Sequence, residues 1–194
     1  MNFEMRETVR LVLAGGREVY IRPLRPGEHD AVRSLFIRLS PRTRYLRFLS
    51  PINVLSESLL RTLTDVDGSR RLALVAELDE RNSGDVVGLG HVIAGVDDCA
   101  EMGLVVADAW QRRGIGAALA VRLLRAAEAR GFERFVIHEH WDNRAVRPLL
   151  RHVGEVVSSD TSLGVSEIAF VRRRSAEERA YDRILATKGG LLGA

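Results

Sequence analysis

Apolar and polar residues alternate along much of the first half of the chain, and this pattern predicts strands. Val9 to Leu13 and Glu18 to Ile21 are predicted to pair as a hairpin, because Gly15 and Gly16 between them can adopt the positive φ of a tight turn. The later apolar runs are separated by short turn-rich segments, which favours antiparallel pairing of neighbours. They predict three more strands, at Leu72 to Leu78, Val86 to Val96 and Ala100 to Val106.

Helical spacing interrupts the strands in two places. Apolar residues fall three and four positions apart between Glu28 and Leu39, and Ser40-Pro41 ends that pattern. Ser56 is the predicted N-cap of a second short helix that reaches Leu63. The stretch between the two helices, Arg42 to Pro51, has no clear period, so the sequence leaves both a loop and a broken helix open.

Helices and strands alternate in the second half of the chain. The strongest helical pattern begins at Ile115, and Gly131 is predicted to end that helix in a left-handed conformation. A second helix is predicted from Asn143 to Val153. Pro148 lacks the N–H group that this helix would use, which predicts a distortion in its second turn. Strands are predicted around it at Phe135 to His140, Glu155 to Ser158 and Val165 to Val171.

The order of these elements predicts the fold class. An antiparallel meander followed by alternating helices and strands favours one α/β domain, with a mixed sheet of about seven strands and helices on both faces. The domain is expected to span residues 1–174, including the N-terminal hairpin. Ser175 and Glu178 have capping-box spacing, so a further helix and a flexible tail are predicted over 175–194. The apolar stripe of that helix, Tyr181 to Leu185, could pack on a second copy of the chain.

Composition narrows the class of protein. A chain of 194 residues that is 46% hydrophobic can bury a core without disulfides, and its single cysteine, Cys99, cannot form an internal bridge. Because it has neither a membrane-spanning apolar run nor a secretory signal, a cytoplasmic location without a membrane partner is expected. Only Lys188 among the 29 basic residues is a lysine. This arginine excess lacks an aromatic platform or recognition helix, so nucleic acid is not an expected partner.

The segment that carries the clearest chemistry is Gln111 to Ala117, between a predicted strand and the strongest helix. A helix N-terminus presents unpaired N–H groups and partial positive charge, and Gly114 and Gly116 would leave room there for a phosphate. A P-loop is excluded because no lysine precedes Lys188, and the dinucleotide fingerprint is excluded because its third glycine position holds Leu119. The pattern that remains is Q-x-x-G-x-G.

From Val19 to Arg172 the chain resembles the GNAT superfamily of N-acetyltransferases, which uses this motif to bind the pyrophosphate of acetyl-CoA. The resemblance implies a GNAT fold and acetyl-CoA as co-substrate, with no metal. It also implies that Leu104-Val105-Val106 binds the pantetheine arm through its backbone and that the next strand separates from it. Asn143 matches a family position that contacts the cofactor. The implied pyrophosphate-binding residues are Gln111, Arg112, Arg113, Gly114, Ile115, Gly116 and Ala117.

Glu101 is the only charged residue of a predicted apolar strand. A lone carboxylate there is expected to be partly desolvated, and so poised to accept a proton near neutral pH. In many relatives a glutamate ten residues before the motif glutamine takes the proton of the attacking amine, which makes Glu101 the implied catalytic base. A solvent-facing strand glutamate is the alternative. The resemblance further implies direct attack on the thioester, with a backbone N–H of residues 104–106 holding the oxyanion and Cys99 inert.

Three other positions qualify this mechanism. Many relatives have a tyrosine as general acid seven residues after the Asn143 position, where this chain has Leu150, so water or direct release of the thiolate is expected. His138 and His140 share one face of a predicted strand, but a third ligand at a usual spacing is missing, so no metal site is predicted. The two histidines stay open as acceptor-cleft residues or as ordinary strand residues.

The N-terminal part bears on the acceptor. Ile21 to Pro26 and Ser40 to Phe48 resemble the opening of bacterial protein-lysine acetyltransferases, the group that modifies acyl-CoA synthetases. A protein lysine is therefore the first expected acceptor, and a small amine such as a polyamine, an antibiotic or an amino acid is the second. A non-catalytic acyl-CoA-binding module is the third hypothesis, because the tyrosine is missing. Arg42 to Phe48 borders the acceptor site in this superfamily and is a candidate for selecting the substrate.

Overall fold

The computed structural model of the chain describes residues 8–78, 85–96 and 98–174. These residues form eight strands, five α-helices and a short 3₁₀ turn. In chain order the elements are β1 (Val9–Val12), β2 (Glu18–Pro23), α1 (His29–Arg38), α2 (Pro41–Phe48), α3 (Glu57–Thr64), β3 (Arg71–Leu78), β4 (Val86–Ala94), β5 (Cys99–Val106), the 3₁₀ turn (Asp108–Trp110), α4 (Ile115–Glu128), β6 (Arg134–His140), α5 (Val146–Val153), β7 (Gly154–Ser162) and β8 (Val165–Arg172).

All eight strands belong to one sheet, in the order β1-β2-β3-β4-β5-β6-β8-β7. Neighbours are antiparallel except for β5 and β6, which are parallel. The predicted mixed α/β sheet is confirmed, and each of its eight strands overlaps one of the stretches predicted as strands. A single parallel pair forms because α4 carries the chain back over the sheet between β5 and β6, as a parallel crossover requires.

Helices cover both faces of the sheet, as predicted. Alternate residues of β3 show this, because neighbours on a strand point to opposite faces. Leu74 belongs to a buried cluster with Leu119 of α4, whereas Val75 belongs to another cluster with Leu35 of α1 and Leu60 of α3. The central strands are thus packed on both faces, which fixes the positions of the side chains that they carry.

The segment that the sequence left open between α1 and α3 is a helix. Ser40 is its N-cap, with Oγ accepting a hydrogen bond from the N–H of Thr43, and Pro41 occupies its first position. The helix ends at Phe48, where Leu49 adopts a left-handed conformation with φ 54°. The arginines of this segment therefore project from a defined helix rather than from a loop.

The prediction of a distorted helix from Asn143 is wrong. α5 begins at Val146, so Pro148 lies in its first turn, where an N–H group has no intrahelical acceptor to lose. Asn143 instead lies in the preceding turn, and its Oδ1 accepts a hydrogen bond from the N–H of Ala145 at 3.2 Å.

Some predictions lie outside the described residues. These are the helix and tail over 175–194, with the stripe Tyr181 to Leu185, and most of the turn that precedes β4. The domain boundary at residue 174 stays a prediction. Within the described ranges, none of the helices is both long enough and apolar enough to span a membrane.

Candidate active site

β5 and β6 pair over a short distance and then separate. The paired residues are Cys99 with Arg134, Ala100 with Phe135 and Glu101 with Val136. Beyond Glu101, β5 continues to Val106 with β4 as its neighbour in the described part of the chain. The separation leaves backbone groups of residues 102–106 without a β6 partner, so an extended ligand can pair with them.

A cavity of about 800 Å³ occupies this wedge between the strands. Its walls come from α2, from β5 with the segment that follows it, and from β6 with the turn before α5. Two of the predicted site residues, Arg113 and Ile115, do not line it. The predicted residues that do are Glu101, Leu104, Val105, Val106, Gln111, Arg112, Gly114, Gly116, Ala117 and Asn143.

The backbone of residues 112–117, here called the amide loop, forms the cavity wall where α4 begins. Arg112 and Gly114 have positive φ values of 58° and 88°. Gly114 is the N-cap of α4, and within the described chain no side chain caps this helix. The N–H groups of the first helical turn have no intrahelical acceptor and carry partial positive charge. The amide loop is therefore suited to an anionic group such as a diphosphate.

The two glycines of the amide loop meet different requirements. A Cβ added at Gly114 would meet no atom within 4 Å, so the cost of a side chain there comes from the positive φ. A Cβ added at Gly116 would lie 3.9 Å from Cγ2 of Val106, in the gap between α4 and β5. Together they keep side-chain atoms out of this part of the wall.

The two motif residues outside the cavity pack against other parts of the protein. Ile115 is 1% exposed and belongs to the core. The guanidinium of Arg113 lies over the ring of Trp110, 5.2 Å from its centroid. The side chain of Ile115 therefore anchors the amide loop to the core, and that of Arg113 lies on Trp110, which lines the cavity.

Hydrogen bonds tie the amide loop to β5 and α2. Nε2 of Gln111 donates to the carbonyl oxygen of Val106 at 2.9 Å and to Oγ1 of Thr43 at 3.3 Å. Just before the loop, the Asp108 carboxylate accepts from the N–H and the hydroxyl of Ser40 at 2.9 and 2.7 Å, and from the Thr43 hydroxyl at 2.7 Å. Burial alone would raise the pKa of Asp108, but these bonds lower it below its ordinary value. The start of α2 is thus fixed to the base of the cavity.

Glu101 lies where the wedge opens. Its side chain is 55% exposed, so it is less desolvated than its apolar neighbours in the sequence suggested. The cause is the separation of β6, which admits water beside the carboxylate. Oε1 of Glu101 lies 3.8 Å from Nδ1 of His138, and Nε2 of that histidine lies 3.2 Å from Oε2 of Glu167. Glu101 can accept a proton from an amine or from water at the cavity mouth.

The half-buried Arg47 and the buried His91 form a pair beside Glu101 that the sequence motifs did not indicate. His91 is opposite Gly103 in the β4–β5 register, and Nη2 of Arg47 donates to the His91 ring, 3.0 Å from Nε2. A Cβ at Gly103 would lie 2.7 Å from Cζ of Arg47, so glycine lets the guanidinium cross the strand.

Burial lowers the pKa of Arg47 to about 10, although the Glu101 charge raises it. Burial, and then the Arg47 charge, lower the pKa of His91 well below its ordinary value. A glycine inside an apolar strand is the sequence signal that could have led to this pair.

The remaining predicted positions are also placed by the structure. Leu150 is 2% exposed in the core, so it supplies no acid, and Cys99 is half-buried outside the cavity lining. His138 lines the cavity, whereas the His140 ring meets the Tyr45 ring edge-on at 5.3 Å. Among residues 8–78, 85–96 and 98–174, no cluster of three His, Cys, Asp or Glu side chains could hold a metal ion.

Comparison with known proteins assigns the family. The sequence model of the Acetyltransferase (GNAT) family matches residues 41–154. The chain belongs to the GNAT family. A relative from Pseudomonas aeruginosa, named as an acetyltransferase, is 35% identical over 149 residues, which cover 76% of this chain and 80% of that protein. Acetyltransferase Pat of Mycolicibacterium smegmatis is 29% identical over 156 residues, 79% of this chain and 46% of Pat, so this chain spans about half of that relative.

Solved structures show the same fold. The GNAT domain of S. lividans PAT has a TM-score of 0.75 at 23% identity, covering 84% of this chain and 96% of that domain. A cAMP-binding acyltransferase from Mycobacterium smegmatis has a TM-score of 0.59 at 22% identity, covering 88% of this chain and 48% of that protein. These likenesses confirm the predicted GNAT fold.

Membership of the GNAT family makes the chain an acyl-CoA-dependent N-acetyltransferase, with acetyl-CoA as the co-substrate of the family. The cavity fits such a donor. It offers unpaired N–H groups for phosphate at one end, a free strand edge along its length and a carboxylate at the other end.

Proposed function

We propose that this GNAT enzyme transfers the acetyl group of acetyl-CoA directly to the side-chain amine of a protein lysine, with Glu101 as the base. One observation carries the proposal. A single cavity of about 800 Å³ contains the amide loop, the free edge of β5 and the Glu101 carboxylate. A donor held by its diphosphate at the loop and extended along β5 would place its thioester beside that carboxylate.

Three parts of the chain would hold the donor. The N–H groups of residues 112–117 would bind the diphosphate, with the Arg112 side chain at the same wall. Leu104 to Val106 would pair with the amides of the pantetheine arm, as a strand pairs with an added strand. Asn143 lies across the wedge with its Oδ1 engaged by Ala145, and its Nδ2 donates to none of the described residues. That amide is available to a carbonyl of the donor.

Glu101 would prepare the nucleophile. A lysine ammonium has a pKa of about 10.4 in water and must lose a proton before it can attack. The Glu101 carboxylate accepts that proton, directly or through water that its exposure admits. The neutral nitrogen then forms a bond to the thioester carbon, and a backbone N–H of residues 104–106 stabilises the oxyanion. The C–S bond breaks as the nitrogen loses its second proton to water, and the thiolate takes up a proton from water because Leu150 offers none.

The acceptor side of the cavity supports a protein substrate. Its wall is α2, formed by the Ser40 to Phe48 segment that resembles protein-lysine acetyltransferases. Next to it the rings of Tyr45, His140 and Trp141 are in contact, with centroid separations of 5.3 and 5.6 Å, and Trp141 is 71% exposed. Exposed aromatic side chains are enriched where proteins bind proteins. An acyl-CoA synthetase is the protein class that the resemblance suggests.

The test is to incubate the protein with labelled acetyl-CoA and a cell lysate, and then to locate the label. Glu101→Gln is the control, because it keeps the size of the side chain and removes its basicity. Label on lysine residues of proteins, absent with Glu101→Gln, is the expected result. Label confined to small amines would refute the protein acceptor. Binding of acetyl-CoA without any transfer would instead indicate a non-catalytic acyl-CoA-binding module.

A further inference from the structure

We propose that Arg47 is a carboxylate receptor at the acyl end of the cavity, so that one of the two reactants carries a carboxylate near the thioester carbon and the amine that react. The inference rests on the donor site and the base of the proposed function and goes beyond it, because a carboxylated acyl group would replace acetyl and a carboxylated small amine would replace the protein lysine. The carboxylate belongs either to the acyl group, as in a succinyl thioester, or to the acceptor amine, as in an amino acid.

Arg47 lies along β5 between the amide loop and Glu101. The amide loop follows the end of β5 at Val106, and the free edge of that strand begins after Glu101. Gly103 lies between these ends, two residues from the base. The Arg47 guanidinium crosses the strand at Gly103, since Cζ lies 2.7 Å from where a Cβ would be. A thioester extended from the loop would therefore end next to Arg47.

The positive charge of Arg47 has no close counter-ion. Among the described residues its hydrogen-bond partner is His91, which is 6% exposed. Burial and the neighbouring guanidinium keep the pKa of that histidine well below its ordinary value, so the partner is neutral. A neutral acceptor satisfies one N–H group and leaves the charge in place. The Glu101 charge raises the pKa of Arg47, but the two side chains form no ion pair in the described part of the chain. The ring of Phe48, whose centroid lies 5.1 Å from Cζ, carries no charge.

Other arginines of α2 have the partners that Arg47 lacks. Arg42 donates to the Asp142 carboxylate at 2.6 Å, and Arg44 donates to the backbone carbonyl oxygens of Phe36, Ile37 and Asn53. Nε and Nη1 of Arg47 donate to none of the described residues, and the side chain lines the cavity. Nη1 shares one edge of the guanidinium with Nη2, which has a second hydrogen besides the one that it gives to His91. An edge with two parallel N–H donors matches a carboxylate, which it binds through two hydrogen bonds.

The transfer step is the same for either source of the carboxylate. The amine nitrogen forms a bond to the thioester carbon, the C–S bond breaks, the amine proton goes to Glu101 and the thiolate leaves. The distal carboxylate does not react. It stays ion-paired with Arg47 and fixes the position of the reactant that carries it.

The test compares the wild type with Arg47→Gln, and uses Arg61→Gln as a control because it removes the same charge from the exposed side of α3, outside the cavity lining. In the donor arm, calorimetry gives the Kd of acetyl-CoA and of succinyl-CoA, and rates follow with a lysine peptide whose termini are blocked. In the acceptor arm, acetyl-CoA is fixed and a primary amine is compared with an amine of similar length that has a carboxylate.

We expect the wild type to prefer the carboxylated member of one pair by about tenfold, the loss that a missing charge-assisted hydrogen bond causes. Arg47→Gln should abolish that preference, Arg47→Lys should keep part of it, and Arg61→Gln should keep it. If the wild type prefers succinyl-CoA, the carboxylate belongs to the acyl group. If it prefers the carboxylated amine, the carboxylate belongs to the acceptor.

A wild type without preference in either arm overturns the proposal, even if Arg47→Gln does not fold. An equal loss of rate with every substrate in Arg47→Gln also overturns it, because a merely structural role has that effect. Failure of the wild type to bind acetyl-CoA at all would be a different result. It would refute the proposed function, and the inference with it.

Discussion

Replacing Gly114 by alanine tests whether the amide loop binds the donor. Gly114 has a φ of 88°, and an added Cβ would meet no atom within 4 Å, so the folded-state cost is conformational. Holding alanine in the left-handed backbone conformation costs about 1–2 kcal/mol. Gly15, in the hairpin between β1 and β2, has a φ of 87° and equally open surroundings. Gly15→Ala is therefore a matched control that carries the same strain outside the cavity.

The two variants should lose about the same free energy of unfolding, which chemical denaturation measures. Only Gly114→Ala should weaken the binding of acetyl-CoA, because the added methyl group would project where the diphosphate is proposed to lie. We expect a Kd increase of about tenfold in calorimetry, equal to about 1.4 kcal/mol and close to one lost N–H-to-phosphate hydrogen bond. If Gly114→Ala loses stability like Gly15→Ala but binds acetyl-CoA as the wild type does, the amide loop is not the receptor.

Three further changes probe the rest of the site. Glu101→Gln should lower kcat by about 10² to 10⁴ with the Kd of acetyl-CoA unchanged, and wild-type turnover would exclude Glu101 as the base. Gln111→Ala should raise that Kd about fivefold, because the hydrogen bond to Val106 is worth about 1 kcal/mol; an unchanged Kd would show that the loop needs no such support. The lowered pKa of Asp108 means that its stabilising effect is complete above the unfolded-state pKa of about 4, and is lost as pH falls through the folded-state value. The midpoint of thermal unfolding, measured as a function of pH, should therefore fall less steeply at acid pH in Asp108→Asn than in the wild type. Parallel curves for the two proteins would contradict this.

Local signals were sufficient for many of the elements. Ser56 accepts from the N–H of Leu59 and begins α3 as predicted, and Gly131 has a φ of 92° after α4. Such caps and turns depend on backbone groups only a few residues apart, so their residues can be identified without the rest of the fold. The same reason explains why the glycines of the amide loop stand out in the sequence.

Predictions that depended on surroundings were less successful. Glu101 was expected to be desolvated because its sequence neighbours are apolar, but its exposure depends on β6 separating from β5 at that residue. Pro148 was expected to distort a helix whose true start, at Val146, depends on the turn made by Asn143. Burial and helix boundaries of this kind follow from packing between distant segments.

By itself the sequence determined the alternation of strands and helices, and the glycine-bearing start of α4, because periodicity and positive φ are properties of a few consecutive residues. Only the tertiary structure decided that Arg47 meets His91, 44 residues away, at Gly103 beside Glu101. That meeting requires the β4–β5 register and the passage of α2 over the same face of the sheet. Register and helix placement are determined by the whole core, because moving a strand by one residue would turn these side chains to the opposite face.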